Sequence, residues 1–316
     1  MRGIIVAGLI LLLTSISFLF SQTETQTQVK EYVNVELVNF YLTATDKDNR
    51  HFITDLRPDE IEVQENGVPQ KVMRFASFTS ETEEVPINVA YAVDTSGSMY
   101  ADIDGLMKID MAKETGQMLI QELGPMDKMS VVTFDETPKL SPLISDKNTL
   151  KDEIDKLRVH FGYTAFFDAL LSTMDDLNNE SGRKLLIICS DGVDNLSRHK
   201  IVDVIQKLNE STELTAIILG TITPEAHVSF TKGVKPETGK QVLQQLADDS
   251  AGFAFFPKTL KEVDQVRDLI RNFVKSQYSL VYSPTNQKVD GTFRTVNIQC
   301  KRKGVVLHYR KGYFAK

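Results

Sequence analysis

The stretch that decides the fold is residues 87–99, Ile-Asn-Val-Ala-Tyr-Ala-Val-Asp-Thr-Ser-Gly-Ser-Met. Ile87 to Val93 is short, apolar and rich in β-branched residues, as a buried strand must be. It stops at Asp94, and a polar loop, Asp94-Thr95-Ser96-Gly97-Ser98, takes over.

Beyond that loop, Met107, Ile109, Met111, Ala112, Met118, Leu119 and Leu123 recur mostly at three- and four-residue spacing, which predicts a helix. Met129 to Phe134 is the next strand and Leu140 to Ile144 a short third. Leu150, Ile154 and Leu157 mark one helix; Phe167, Leu170, Leu171, Met174 and Leu177 mark another. Further strands are expected at Leu185 to Cys189, Leu214 to Leu219 and Phe253 to Phe256, with helices at Ile201 to Leu208, around Val242 to Ala247, and from Val263 to Val274. Alternation of this kind implies βαβ units. The expected fold class is α/β: a doubly wound, mostly parallel, Rossmann-like sheet over 87–277. Ligands of such sheets bind at the carboxyl ends of the strands, near the point where strand order reverses.

The flanks read differently. Val33 to Thr45 and Ile61 to Phe78 are strand-like, with turns at Asp46-Lys47-Asp48-Asn49 and Glu65-Asn66-Gly67. So are Tyr278 to Tyr282, Phe293 to Cys300 and Val305 to Tyr309. Neither set can hold a core alone, so segments 22–86 and 278–316 are expected to pair into one small β domain. Charge supports the pairing. The 316 residues carry 36 Lys plus Arg against 43 Asp plus Glu, a net of −7. Residues 22–86 contribute −7, 87–277 contribute −8, and 278–316 contribute +7. Opposite charges favour cross-pairing of the two ends. An acidic chain is also a poor binder of nucleic acid phosphates, so no nucleic acid partner is expected.

At the start, Arg2 precedes an apolar run from Ile4 to Phe20, followed by Ser21-Gln22-Thr23. This reads as a secretory signal over 1–21, with an uncleaved anchor as the alternative. The body is then exported: periplasmic, cell-surface or secreted. No later segment is apolar enough to span a bilayer. Cys189 and Cys300 fit no metal spacing; Cys189 reads as a core residue.

Two more loops stand out, and the sheet argument puts the one carrying Asp191 at the same carboxyl edge as Asp94. Gly162-Tyr163-Thr164 precedes a helix, and Ser190-Asp191-Gly192 follows the strand Leu185 to Cys189. Carboxylates and hydroxyls gathered at one sheet edge are hard oxygen ligands suited to Mg²⁺. This set resembles the von Willebrand factor type A domain, whose metal-ion-dependent adhesion site is Asp-x-Ser-x-Ser plus a Thr and an Asp. Asp94, Ser96, Ser98, Thr164 and Asp191 fill those positions in order. The resemblance implies that Ser96, Ser98 and Thr164 bind the ion through hydroxyls, with Asp94 and Asp191 acting directly or through water. It implies Mg²⁺, with Mn²⁺ or Ca²⁺ as substitutes, and a protein partner presenting a carboxylate. The flanks, with Val68-Pro69-Gln70-Lys71-Val72 and the closing Arg310-Lys311-Gly312-Tyr313-Phe314, resemble a bacterial group of exported proteins related to that family.

The expected function is therefore adhesion or scaffolding, not catalysis. A metal-dependent hydrolase and a structural envelope subunit with an idle metal site are the alternatives. A serine nucleophile needs an adjacent base; His160 is the nearest candidate, and a solvated loop histidine is the better reading of it. Asp194 either tunes the metal loop or caps the helix that follows. Lys301-Arg302-Lys303 reads as a solvated turn beside an acidic neighbour. Thr221 to Glu237 is long for a strand-to-helix connection and is either a specificity loop or a surface insertion.

Overall fold

The computed structural model describes residues 37–48, 51–78, 85–210, 213–222 and 236–315. The expected signal segment and most of the stretch 221–237 lie outside the described residues. Four strands come first: β1 (Val38–Asp46), β2 (Ile61–Glu65), β3 (Val68–Gln70) and β4 (Val72–Ser77). The centre opens with β5 (Ile87–Asp94), the short hairpin β6 (Asp102–Ile103) and β7 (Leu106–Met107), and α1 (Lys108–Glu122). It continues through β8 (Lys128–Phe134), β9 (Pro138–Leu140), α2 (Lys147–Asp155), α3 (Phe166–Asn178), β10 (Arg183–Ser190) and α4 (Ile201–Leu208). Then come β11 (Leu214–Gly220), α5 (Pro236–Asp249), β12 (Phe253–Phe255) and α6 (Leu260–Lys275). The last strands are β13 (Gln277–Tyr282), β14 (Phe293–Cys300), β15 (Val305–His308) and β16 (Gly312–Phe314).

The central sheet has the order β12-β11-β10-β5-β8-β9, parallel throughout except for the β8–β9 pair. From β5 the chain builds outward on one side through β8, then returns to build the other side through β10. Strand order therefore reverses between β5 and β10. Along β5 the period-2 alternation divides the core. Val89, Tyr91 and Val93 pack with residues of α1, α2 and α6, while Ala90 and Ala92 pack with those of α3, α4 and α5. Both faces are covered, so the sheet is doubly wound.

One strand differs from expectation. β9 is Pro138–Leu140, antiparallel to β8, and of the remainder only Ile144 bridges back, to Met129. Pro142 has no N–H to give to a ladder. Ser141 makes the last contact before it, its N–H donating to the Val131 carbonyl at 3.0 Å and its hydroxyl accepting the Val131 N–H at 2.8 Å.

The two chain ends interleave. One antiparallel sheet runs β15-β1-β13-β4 and another β16-β14-β2-β3, so each contains strands from both flanks. Phe40, Leu42, Val63, Leu280 and Ile298 lie in the core they share. The charge gradient becomes contacts: Arg302 with Asp55 at 2.7 Å and Glu60 at 2.8 Å, and Lys301 with Glu62 at 3.3 Å. These are solvent-facing pairs, each contributing little by itself. Glu65 is different. It is buried, pairs with buried Arg294 at 3.4 Å, and accepts the hydroxyls of Tyr282 at 2.8 Å and Tyr313 at 2.9 Å.

Candidate functional site

Three loops meet over the carboxyl ends of β5 and β10. At the first, Asp94 is fully buried, and its carboxylate is held from both sides. Oδ1 accepts the Ser96 N–H at 2.8 Å, and Oδ2 accepts the Ser190 hydroxyl at 2.8 Å. The Asx turn at Ser96 bends the chain into a 3-10 turn, Gly97–Tyr100, which brings the Ser96 and Ser98 hydroxyls within 3.3 Å of each other. Thr95 anchors the loop to the neighbouring strand, its N–H and hydroxyl both donating to the Phe134 carbonyl.

The second loop carries Thr164, which is buried. The His160 N–H donates to the Thr95 carbonyl at 2.7 Å, tying this loop to the first. The Thr164 N–H donates to Asn195 Oδ1 at 2.7 Å, and its carbonyl accepts the N–H groups of Asn195 and Leu196, tying it to the third. The third loop carries Asp191, also buried, whose Oδ1 accepts the Val193 N–H at 3.1 Å. Here α5 presses close. Gly192 has φ +74, and a Cβ on Gly239 would stand 2.3 Å from the Asp191 carbonyl oxygen. Only glycine permits that approach.

The electrostatics are unbalanced. Burial first, and the neighbouring Asp191 charge second, push the Asp94 carboxyl up to about 7, against the pull of its bonds from Ser96 and Ser190. The nearby cation is Lys108, at the first turn of α1. It is fully buried, and its Nζ has no hydrogen-bond partner among the described residues. Burial pulls its pKa down, opposed by the charges of Asp191 and Asp94. Two buried carboxylates, three hydroxyls and water as the remaining donor form a set that fits a small, hard dication. No group of three or more His, Cys, Asp or Glu able to hold a metal occurs among the described residues, so any ion here would rely on hydroxyl oxygen.

All five residues singled out in the sequence thus lie at this one edge, Asp94 at the end of β5 and the other four on the loops. Others do not join them. His160 turns to Asp135, with Nδ1 3.0 Å from Oδ2, and is half exposed. Asp194 caps α3 rather than the helix after it, accepting the Phe167 N–H at 3.1 Å, and it also holds Ser197. Cys189 is buried and Cys300 half-buried, both free. Lys108, Ser190 and Asn195 were not anticipated. Ser190 adjoins Asp191 and was within reach of the motif; Lys108 gives no such local signal.

Residues 89–193 match the family model of the von Willebrand factor type A domain. No curated protein matches the chain in sequence. Among solved structures, BatB from Bacteroides thetaiotaomicron is similar at 20% identity and a TM-score of 0.47, over 60% of this chain and 100% of that one. The von Willebrand factor type A protein from Catenulispora acidiphila is similar at 15% identity and 0.47, over 89% of this chain and 73% of that one. The pilus adhesin SpaC from Lactobacillus rhamnosus GG is similar at 8% identity and 0.50, over 82% and 49%, a likeness of fold alone. Over residues 89–193, the central α/β unit of this chain is thus similar to the von Willebrand factor type A domain.

Proposed function

We propose that this chain is an exported, Mg²⁺-dependent protein-binding module, serving adhesion or scaffolding. Asp94, Ser96, Ser98, Thr164 and Asp191 hold the ion, and a partner's carboxylate completes its coordination. The observation that carries the reading is the convergence of three hydroxyl-bearing residues and two buried acids where strand order reverses. Neutral hydroxyls leave the ion electron-poor and able to take one more anionic oxygen. The Asp94 and Asp191 charges, costly when buried alone, are the ones a dication offsets.

One feature favours binding over hydrolysis: the Ser96 hydroxyl lies beside the Ser98 hydroxyl rather than a base. Export rests on the basic start and apolar run of residues 1–21.

The test is calorimetric titration of Mg²⁺ into the protein and its Asp94→Ala variant, followed by capture of envelope proteins with and without EDTA. Binding of the ion by the wild type alone, and a partner lost both in EDTA and in the variant, are expected. A wild type that takes up no divalent ion refutes the metal site. A partner retained by Asp94→Ala means that the site is idle.

A further inference from the structure

Among the described residues, four aromatic side chains of Phe or Tyr stand exposed: Tyr100, Phe161, Tyr163 and Phe293. Phe293 packs edge-on against Phe314 within the flanking sheets. The other three all border the oxygen cluster. Tyr100, 62% exposed, lies two residues beyond Ser98; Tyr163, 55% exposed, adjoins Thr164; Phe161, 73% exposed, lies between His160 and that pair. Tyr100 and Phe161 form one surface, and Tyr163 follows two residues beyond Phe161 on the same loop. The Tyr100 and Phe161 rings are 5.7 Å apart, and Phe161 lies against the motif itself, its Cδ1 3.5 Å from where a Cβ on Gly97 would be. Leu196, 44% exposed, extends the apolar rim on the side where its N–H meets the Thr164 carbonyl.

A single exposed apolar residue needs no explanation, but a cluster at the mouth of a site does. Nothing in the fold requires it, since these rings lie outside the core. Aromatic side chains, Tyr above all, carry interface affinity disproportionately, because they bury large area with little loss of rotamer freedom. Charge defines the occupant further. On the side of Tyr100 and Gly162 the flank of the rim is acidic: Glu136 Oε1 would lie 3.0 Å from a Cβ on Gly162, Asp135 holds His160, and Asp102 is exposed just past Tyr100. A run of acids arriving here is repelled; one acid between apolar residues is not.

We infer that Tyr100, Phe161 and Tyr163 form an aromatic rim that seats the apolar neighbours of a partner's single Asp or Glu, so that the site selects an isolated acid in an apolar segment over an acidic run. The inference rests on the carboxylate-accepting site proposed above.

The test uses the whole chain in Mg²⁺ and three short peptides: one aspartate between two leucines, one between two serines, and one between two aspartates. The wild type is expected to bind the leucine peptide about tenfold tighter than the serine peptide, a difference of about 1.4 kcal/mol, and the aspartate peptide no tighter than the serine one. Tyr100→Ser/Phe161→Ser should bind the leucine and serine peptides alike while keeping wild-type Mg²⁺ affinity; both positions are exposed, so the variant should fold. Equal affinity for the leucine and serine peptides in the wild type, both lost in Asp94→Ala, overturns the rim and leaves the metal site standing. A preference that survives in the double variant, or tightest binding of the aspartate peptide, also overturns it. No binding of any peptide by the Mg²⁺-loaded protein overturns the rim and the carboxylate-accepting site together.

Discussion

The sharpest consequence of the site's geometry concerns the protein without metal. Asp94 has its carboxyl pushed from an ordinary 3.8 to about 7 by burial and by Asp191. In the unfolded chain it ionises near its ordinary value, so the folded state is favoured by its proton. That contribution is complete below about pH 4 and is lost as pH rises through about 7. Each pH unit of difference costs about 1.4 kcal/mol, so the metal-free protein is destabilised by about 4 kcal/mol across this window. Asp94→Asn removes the titration but keeps the shape. The asparagine oxygen can still accept the Ser96 N–H, and what is lost is the acceptor for the Ser190 hydroxyl. An unmade buried hydrogen bond costs about 1–3 kcal/mol. The variant should therefore be more stable than the wild type by about 1–3 kcal/mol at pH 8 in EDTA, and less stable at pH 4. Urea unfolding followed by circular dichroism at several pH values measures both. Groups that do not interact with Asp94 cancel in the difference. Parallel pH profiles, or a variant that is the weaker protein throughout, would falsify the argument. Added Mg²⁺ should reverse the ranking at pH 8, because the proposed site holds the ion only with Asp94 in place.

Other expectations follow from neighbouring features. Gly239→Ala forces α5 away from the Asp191 carbonyl; a loss of about 1–3 kcal/mol in urea and a smaller Mg²⁺-induced rise in Tm are expected. Lys108→Met removes the unpaired buried cation beside two acids and should tighten Mg²⁺ binding several-fold by calorimetry, whereas Lys108→Arg should not. His308, drawn down to about 4 by burial and then by Lys311, contributes stability that is present above about 6.5 and lost as pH falls toward 4, the opposite slope to Asp94. Its ring is partly solvent-exposed, so His308→Gln should flatten the acid limb of the stability profile by about 1–2 kcal/mol. Arg294→Met leaves Glu65 buried without its cation and should cost about 3 kcal/mol in thermal or urea unfolding.

The central sheet was legible because its strands are continuous apolar runs and its helices have a strict apolar face. That Asp94, Ser96, Ser98 and Asp191 share one sheet edge was legible because they stand where such runs end, whereas Thr164, in the loop between α2 and α3, was picked out by the resemblance alone. What the sequence concealed was of a different kind. Lys108 precedes Ile109 in a helical pattern, and nothing local says that its ammonium is buried between α1 and the acids. The ties from His160 to Thr95 and from Asn195 to Thr164 join residues 65 and 31 positions apart. They exist only once the sheet has brought three loops together. The shift of β9 toward Pro138 follows from Pro142, a local signal passed over because the apolar residues on either side of it read as a strand.

The interleaving of the two chain ends also bears on how this molecule comes to be folded. β1 lies between β13 and β15, with Val38 opposite Tyr282, so both of its hydrogen-bonding edges await residues from the far end of the chain. Emerging in chain order, the strand that begins first finishes last, and its loop-closure entropy spans nearly the whole described chain. The central unit contains its own partners and can condense meanwhile. Until β13 arrives, Phe40 and Leu42 and the bare edges of their strand are open to other chains. Slow, late closure of these outer sheets is therefore built into the topology, and with it a period of vulnerability to aggregation.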